Sequence, residues 1–478
     1  MNKRYLSLCL ILLCCALTAG AKVVLPPVIS DNMVLQQNTD AALWGKAEPG
    51  EKVTIIPSWT KTKTVVVAGE DGSWSARVST PAAGGPYEIT FVGAEKVTLK
   101  NILIGEVWIC SGQSNMEMPV KGFKGQPVDG SEDLILGAKP SVPIRTCNLQ
   151  RAKALTPQDE CACSWGENTP ENVANASATA YFFAKKLHEV LDIPVGVINV
   201  SWGGTPIEAW MKKELISGEF GNEFDLSFYD KGEFREKNPH KAPGVLYNGM
   251  LHSVIPFTAK GFIWYQGCDN RTRFEQYKRL QPAFVKMLRE DWGNEDMPFY
   301  FTQIAPYRYD DPESPVGGYM MWAQAQTLDL IPHSGMATTH DVGSFACIHP
   351  ADKESVGNRL AYQALVNDYG LKGVDAFPPV FSEAEFKDGK ATVSFTNPGA
   401  MGLSPINVEL GGFELAGEDK VFHPAKAKVL GDRMKIQVWS SEVPEPVAVR
   451  YGMKNWSVAT LFNTFGIPAS PFRSDNWE

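Results

Sequence analysis

Four short blocks carry residues able to do acyl-transfer chemistry. They are Ser111-Gly112-Gln113-Ser114-Asn115-Met116, Ser201-Trp202-Gly203-Gly204-Thr205-Pro206, Gln266-Gly267-Cys268-Asp269-Asn270, and Asp341-Val342-Gly343 followed by Ile348-His349-Pro350. The first three each follow an apolar run that reads as a strand. Glycine permits a tight turn that exposes Ser114 at a helix start, where backbone N–H groups favour negative charge. Each block alone has an ordinary explanation: a capped helix start, a strand-to-helix turn, an Asx-turn, a structural histidine. Together they supply a nucleophile, oxyanion donors and a base.

These residues need a scaffold that gathers strand ends. From residue 101 to 370 apolar runs alternate with helical spacing. Strands are expected at Ile102–Cys110, Val195–Val200, Gly261–Tyr265 and Pro298–Ile304, and helices at Ala176–Leu191, Phe274–Glu290 and Tyr319–Leu330. That alternation predicts an α/β domain with a mostly parallel sheet, whose ligands bind outside the carboxyl ends of the strands. Residues 22–100 hold short β-branched runs divided by turn signals such as Glu70-Asp71-Gly72, and read as a small β-sandwich. Residues 371–478 read as a second β module, with strands at 391–395, 406–410, 434–438 and 447–451. Its tail, Thr460–Glu478, is expected to pack on the middle domain.

Residues 1–21 read as a signal peptide. Lys3 and Arg4 precede an apolar run too short to span a bilayer, and Ala19-Gly20-Ala21 offers a cleavage site. The expected product is secreted or periplasmic, in a compartment that permits disulfides. Cleavage leaves six of nine cysteines and lowers the net charge from −9 to −11. The acidic balance argues against a nucleic-acid partner, and no later stretch is long and apolar enough for a membrane span.

The ordered blocks resemble the SGNH hydrolases, specifically the sialate O-acetylesterase family of carbohydrate esterases. The matching text runs through Val107–Met116, Ser201–Trp210, Trp264-Tyr265-Gln266-Gly267 and Ile348-His349-Pro350. It extends from Asp31–Gln36 to Ser470–Asp475, so the resemblance spans nearly the whole mature chain. It implies an SGNH-like three-layer domain flanked by the two β modules, and hydrolysis of O-acetyl esters on sugars, O-acetylated sialic acids first. An acetylxylan-type esterase and a catalytically weakened carbohydrate-binding protein are the alternatives. The resemblance implies Ser114 as nucleophile and His349 as base, with oxyanion donors from the Ser114 N–H, Gly203 or Gly204, and the Asn270 amide. No metal or cofactor is expected. Gln113, Trp202, Gln266 and Arg271 are candidates for sugar contact, Arg271 for a sialate carboxylate.

Two positions depart from the family pattern. The family usually has Glu where Cys268 stands and Asp where Cys347 stands, so the acid that would orient His349 is missing. Three explanations stay open: a dyad oriented by a backbone carbonyl, a carboxylate supplied by Asp341 or Asp269, or weakened catalysis. A Cys268–Cys347 disulfide pinning the histidine loop is also expected. Cys147, Cys161 and Cys163 give poor evidence for zinc, lacking matching histidines.

Overall fold

A computed structural model describes residues 23–397, 399, 401–405 and 408–477. The expected signal peptide therefore lies outside the described residues, apart from any conclusion about the fold. Among the described residues no helix is long and apolar enough to cross a membrane.

The central sheet runs Ser334–Ala337, Phe299–Thr302, Gly261–Tyr265, Lys96–Gly112, Val195–Ser201, Ile144–Asn148, Trp165–Gly166. All its pairings are parallel except that of the edge strand Trp165–Gly166. Alternate residues of each strand face opposite layers. Trp108, Ile263 and Tyr300 share a core with the helices Ala178–Leu191 and Lys353–Asn367. Ile109, Phe262, Trp264 and Phe299 share another with Phe274–Trp292. Burial on both faces explains why these strands read as continuous apolar runs.

Lys96–Gly112 is 17 residues long. Its first half pairs antiparallel with Gly84–Val92 of the N-terminal strands, and its second half is the middle of the central sheet. The β module before residue 100 and the α/β region thus share one strand, and one core cluster runs from Val23 through Phe91 to Phe301.

Seven strands, from Val380–Lys387 to Phe472–Arg473, form the C-terminal sheet over its own core of Val393, Leu415, Ile436 and Tyr451. The strand expected at 406–410 is corrected: residues 408–410 are irregular, 406 and 407 lie outside the described residues, and the strand comes at Phe413–Ala416. The tail does return to the central sheet. Ser470 accepts a hydrogen bond from the Gln303 amide at 2.8 Å, and Thr338 donates to the Pro468 carbonyl at 2.8 Å.

Candidate active site

The register of the central sheet brings the blocks together. Ser201 and Tyr265 both stand opposite Gly112, and Thr302 stands level with Tyr265. Three carboxyl ends therefore finish on one line, on either side of the strand where chain order reverses. Gly112 has φ +143°, and a Cβ there would lie 2.2 Å from the Tyr265 carbonyl oxygen. Only glycine lets the chain turn here against its neighbour. Ser114 then opens the short helix Ser114–Glu117.

His349 arrives from the loop before Lys353–Asn367. Its Nε2 lies 2.8 Å from Ser114 Oγ and its Nδ1 lies 2.5 Å from Gln126 Oε1. These partners fix the neutral tautomer: Nδ1–H donates to the Gln126 carbonyl, and Nε2 accepts the Ser114 hydroxyl proton. Phe123 packs edge-on against the imidazole at 5.4 Å, and paired backbone bonds between Phe123 and Gln126 make their turn rigid. Burial, with the Lys353 cation adding to it, pushes His349 down to about 4. The ring therefore stays unprotonated, able to accept a proton, well below neutral pH.

Neither expected carboxylate orients the histidine. Asp341 is held by Arg359 in a two-pronged ion pair at 2.7 and 2.5 Å, and Asp269 by Lys241 at 2.6 Å. Gln126 takes the position beside Nδ1 instead. The expected disulfide is corrected as well: Cys268 and Cys347 are both free. The Cys268 thiol contacts Tyr309, and burial pushes it up to about 11, so it is a neutral group packed beneath the site.

The second block is locked to the first. Gly203 N–H donates to Glu117 Oε2 at 2.8 Å, and Glu117 is gripped by both prongs of Arg151 at 2.6 and 2.7 Å. A Cβ on Gly203 would meet Glu117 Oε2 at 3.0 Å and Ser114 Cβ at 3.1 Å, so a larger residue would crowd both side chains. The Gly203 N–H is thereby committed, whereas the Gly204 N–H has no protein acceptor among the described residues. Asn270 is fully buried; its oxygen accepts from Ile207 N–H and the Gln266 amide, and its Nδ2 donates to Glu208 at 2.9 Å. The other Nδ2 proton of Asn270 has no protein acceptor among the described residues.

The candidate sugar contacts divide. Gln113 and Gln266 are buried and hold loops: Gln113 Oε1 accepts from Gly267 N–H at 3.1 Å, and Gln266 Nε2 donates to the Thr205 carbonyl at 3.1 Å. The Trp202 ring already stacks on His240 at 5.1 Å and lies under the Arg151 guanidinium at 5.5 Å. Arg271 sits 4.1 Å from the Tyr309 ring centroid and donates only to the Cys268 carbonyl, leaving it without a carboxylate partner among the described residues. Glu208, by contrast, is neutralised by Arg273 at 2.7 Å. No group of His, Cys, Asp or Glu among the described residues is arranged to hold a metal ion.

Sequence reasoning missed Gln126, Glu117 and Lys353. Gln126 lies 223 residues from His349 in a loop without periodicity. Glu117 carried a readable hint, being one turn beyond Ser114 on a helix that faces the next strand end.

A carbohydrate esterase family of sialic acid-specific acetylesterases matches residues 104–365, which contain every residue of the site just described. The chain belongs to this family. The sialate O-acetylesterase of Homo sapiens is 29% identical over 402 residues, covering 77% of this chain and 75% of its own. That of Mus musculus is 26% identical over 521 residues, covering 93% of each. A carbohydrate acetylesterase from Xanthomonas citri, known from its crystal structure, is 31% identical with a TM-score of 0.86, covering 95% of this chain and all of that one. Family membership makes this chain a carboxylic ester hydrolase that removes acetyl groups from carbohydrate.

Proposed function

We propose that the protein is a serine esterase of SGNH type, exported from the cytoplasm, that cleaves O-acetyl esters on sialic acids. The observation that carries the reading is the 2.8 Å contact of His349 Nε2 with Ser114 Oγ at the carboxyl edge of a parallel sheet. His349 removes the Ser114 proton as Oγ attacks the acetyl carbonyl. The Ser114 and Gly204 N–H groups and the spare Asn270 amide proton stabilise the oxyanion. The sugar hydroxyl leaves with the proton from His349, and water then hydrolyses the acetyl-enzyme by the same steps. Through both half-reactions Gln126 accepts from Nδ1–H and keeps the ring aimed at the serine.

Arg271 supports an acidic sugar as substrate. It is a half-buried cation beside Asn270 that no protein carboxylate neutralises, suited to a sialate carboxylate. A neutral acetylated polysaccharide such as xylan is the second reading, because the Xanthomonas relative is a carbohydrate acetylesterase whose name specifies no sugar. Acetate release from O-acetylated sialic acids and from acetylated xylan, with Ser114→Ala as control, separates the two. Turnover surviving in Ser114→Ala defeats the proposed nucleophile. Equal discrimination by wild type and Arg271→Ala defeats the carboxylate contact.

A further inference from the structure

Lys353 opens the helix Lys353–Asn367, directly after the histidine loop, and none of its surface is exposed. A buried cation is costly unless an anion or a set of acceptors compensates it. Lys353 has no salt bridge among the described residues. Its Nζ donates to Asn115 Oδ1 at 2.5 Å and lies 5.7 Å from the Tyr265 ring centroid. The groups facing it from the surrounding elements are Asn115, Tyr265, Cys268, Cys347 and His349, with Asp352 on its own helix. Cys268 is a neutral thiol, and Asp352 is occupied in capping Ser355 through its N–H and hydroxyl.

The Asn115 contact continues toward the catalytic pair. Asn115 Nδ2 donates to the Ile348 carbonyl at 3.2 Å. Lys353 thus grips the residue after Ser114, and that residue grips the one before His349. We propose that Lys353 is a positioning residue of this esterase site, which clamps Asn115 to the histidine loop and sets its charge against protonation of His349. The inference rests on the reading of His349 as the general base. Burial pushes the Lys353 ammonium down to about 7, so it is charged through the acid range in which His349 would otherwise take up a proton. A cation buried beside the reacting pair without a carboxylate partner fits a functional role.

The test compares Lys353→Gln, which keeps a donor for Asn115 without the charge, and Lys353→Met, which keeps neither. The pH dependence of kcat/KM is measured with p-nitrophenyl acetate, after thermal melts show that each variant is folded. Both variants should move the acid limb upward by about one pH unit, the effect of removing a nearby like charge. Lys353→Met should also lower kcat by about tenfold, and Lys353→Gln should recover part of that loss. An acid limb that stays in place in folded variants overturns the proposal. If neither variant folds, nitrogen-15 NMR of the wild-type histidine and lysine side chains decides. At pH 5.5 a neutral His349 ring beside a charged Lys353 supports the proposal, and a protonated ring overturns it. Ser114→Ala is run alongside: if it retains turnover, the esterase reading of the site fails, whatever the Lys353 variants do.

Discussion

Gln126 stands where serine hydrolases usually place a carboxylate, and replacing it tests how a neutral amide serves that position. In Gln126→Leu the Nδ1–H of His349 loses its acceptor, 2.5 Å away in the wild type. The loss is greatest in the transition state, where the imidazolium makes this a charge-assisted bond worth about 1.5–3 kcal/mol. The expected fall in kcat/KM is therefore about 10- to 150-fold. That is well short of the ~10⁴-fold loss for a triad carboxylate, because an amide offers the imidazolium no full charge. Gln126→Glu should behave oppositely in one respect. A carboxylate beside Nδ1 favours the protonated ring, so His349 rises from about 4 and the acid limb of kcat/KM moves to higher pH. Initial rates with p-nitrophenyl acetate from pH 4 to 9 measure both effects. The reasoning fails if Gln126→Leu keeps wild-type kcat/KM, or if Gln126→Glu leaves the acid limb unmoved.

Three further outcomes follow from the same contacts. Glu117→Ala releases Gly203 and should lower kcat by about 10-fold, the cost of one hydrogen bond at a positioned loop, with little change in melting temperature. Asp341→Asn should retain most of kcat yet lose on the order of 2–3 kcal/mol in urea unfolding. That is less than the ~3–5 kcal/mol of a fully buried pair, because the Asp341 side chain is 24% exposed. Stability should rise with pH between about 4 and 6.5. His349 and His340 are both held near 4 when folded, so the unfolded chain binds more protons than the native one across that window. Urea midpoints at pH 4.5, 5.5 and 6.5 measure it, and a flat series contradicts the assignment of both rings as neutral.

What could be read from the sequence was whatever depends on chain-local pattern. Val195–Ser201 and Gly261–Tyr265 announce themselves because both their faces are buried, and the glycines after them mark where the chain must turn. Ser114 and His349 could be assigned only through the resemblance of Val107–Met116 and Ile348-His349-Pro350 to the family's blocks, since each block alone has an ordinary explanation. The helix Lys353–Asn367 gave no periodic signal because it is packed between Ala178–Leu191 and the sheet, with most of its residues buried. Its first residue, a lysine, looks like solvent-facing charge and is the opposite. The orienting partner of His349 was unreadable for another reason. Chemistry favours a carboxylate at that position, while Gln126 is made useful only by the tight turn it shares with Phe123. The pairing of Cys268 with Cys347 failed because closeness to one site does not align two thiols for a bond.

The strand Lys96–Gly112 has a consequence for how the molecule can be divided. The family match begins at residue 104, which falls inside this strand. A recombinant fragment cut there would begin in mid-strand. It would also lose Val34–Gln36, which pair with Leu103–Gly105 on the same backbone. Ile104, fully buried and paired with Leu35 in the whole chain, would then lose that neighbour. A fragment that keeps this sheet intact therefore has to include the strands from Val34 onward, and the N-terminal strands act as the outer buttress of the central sheet.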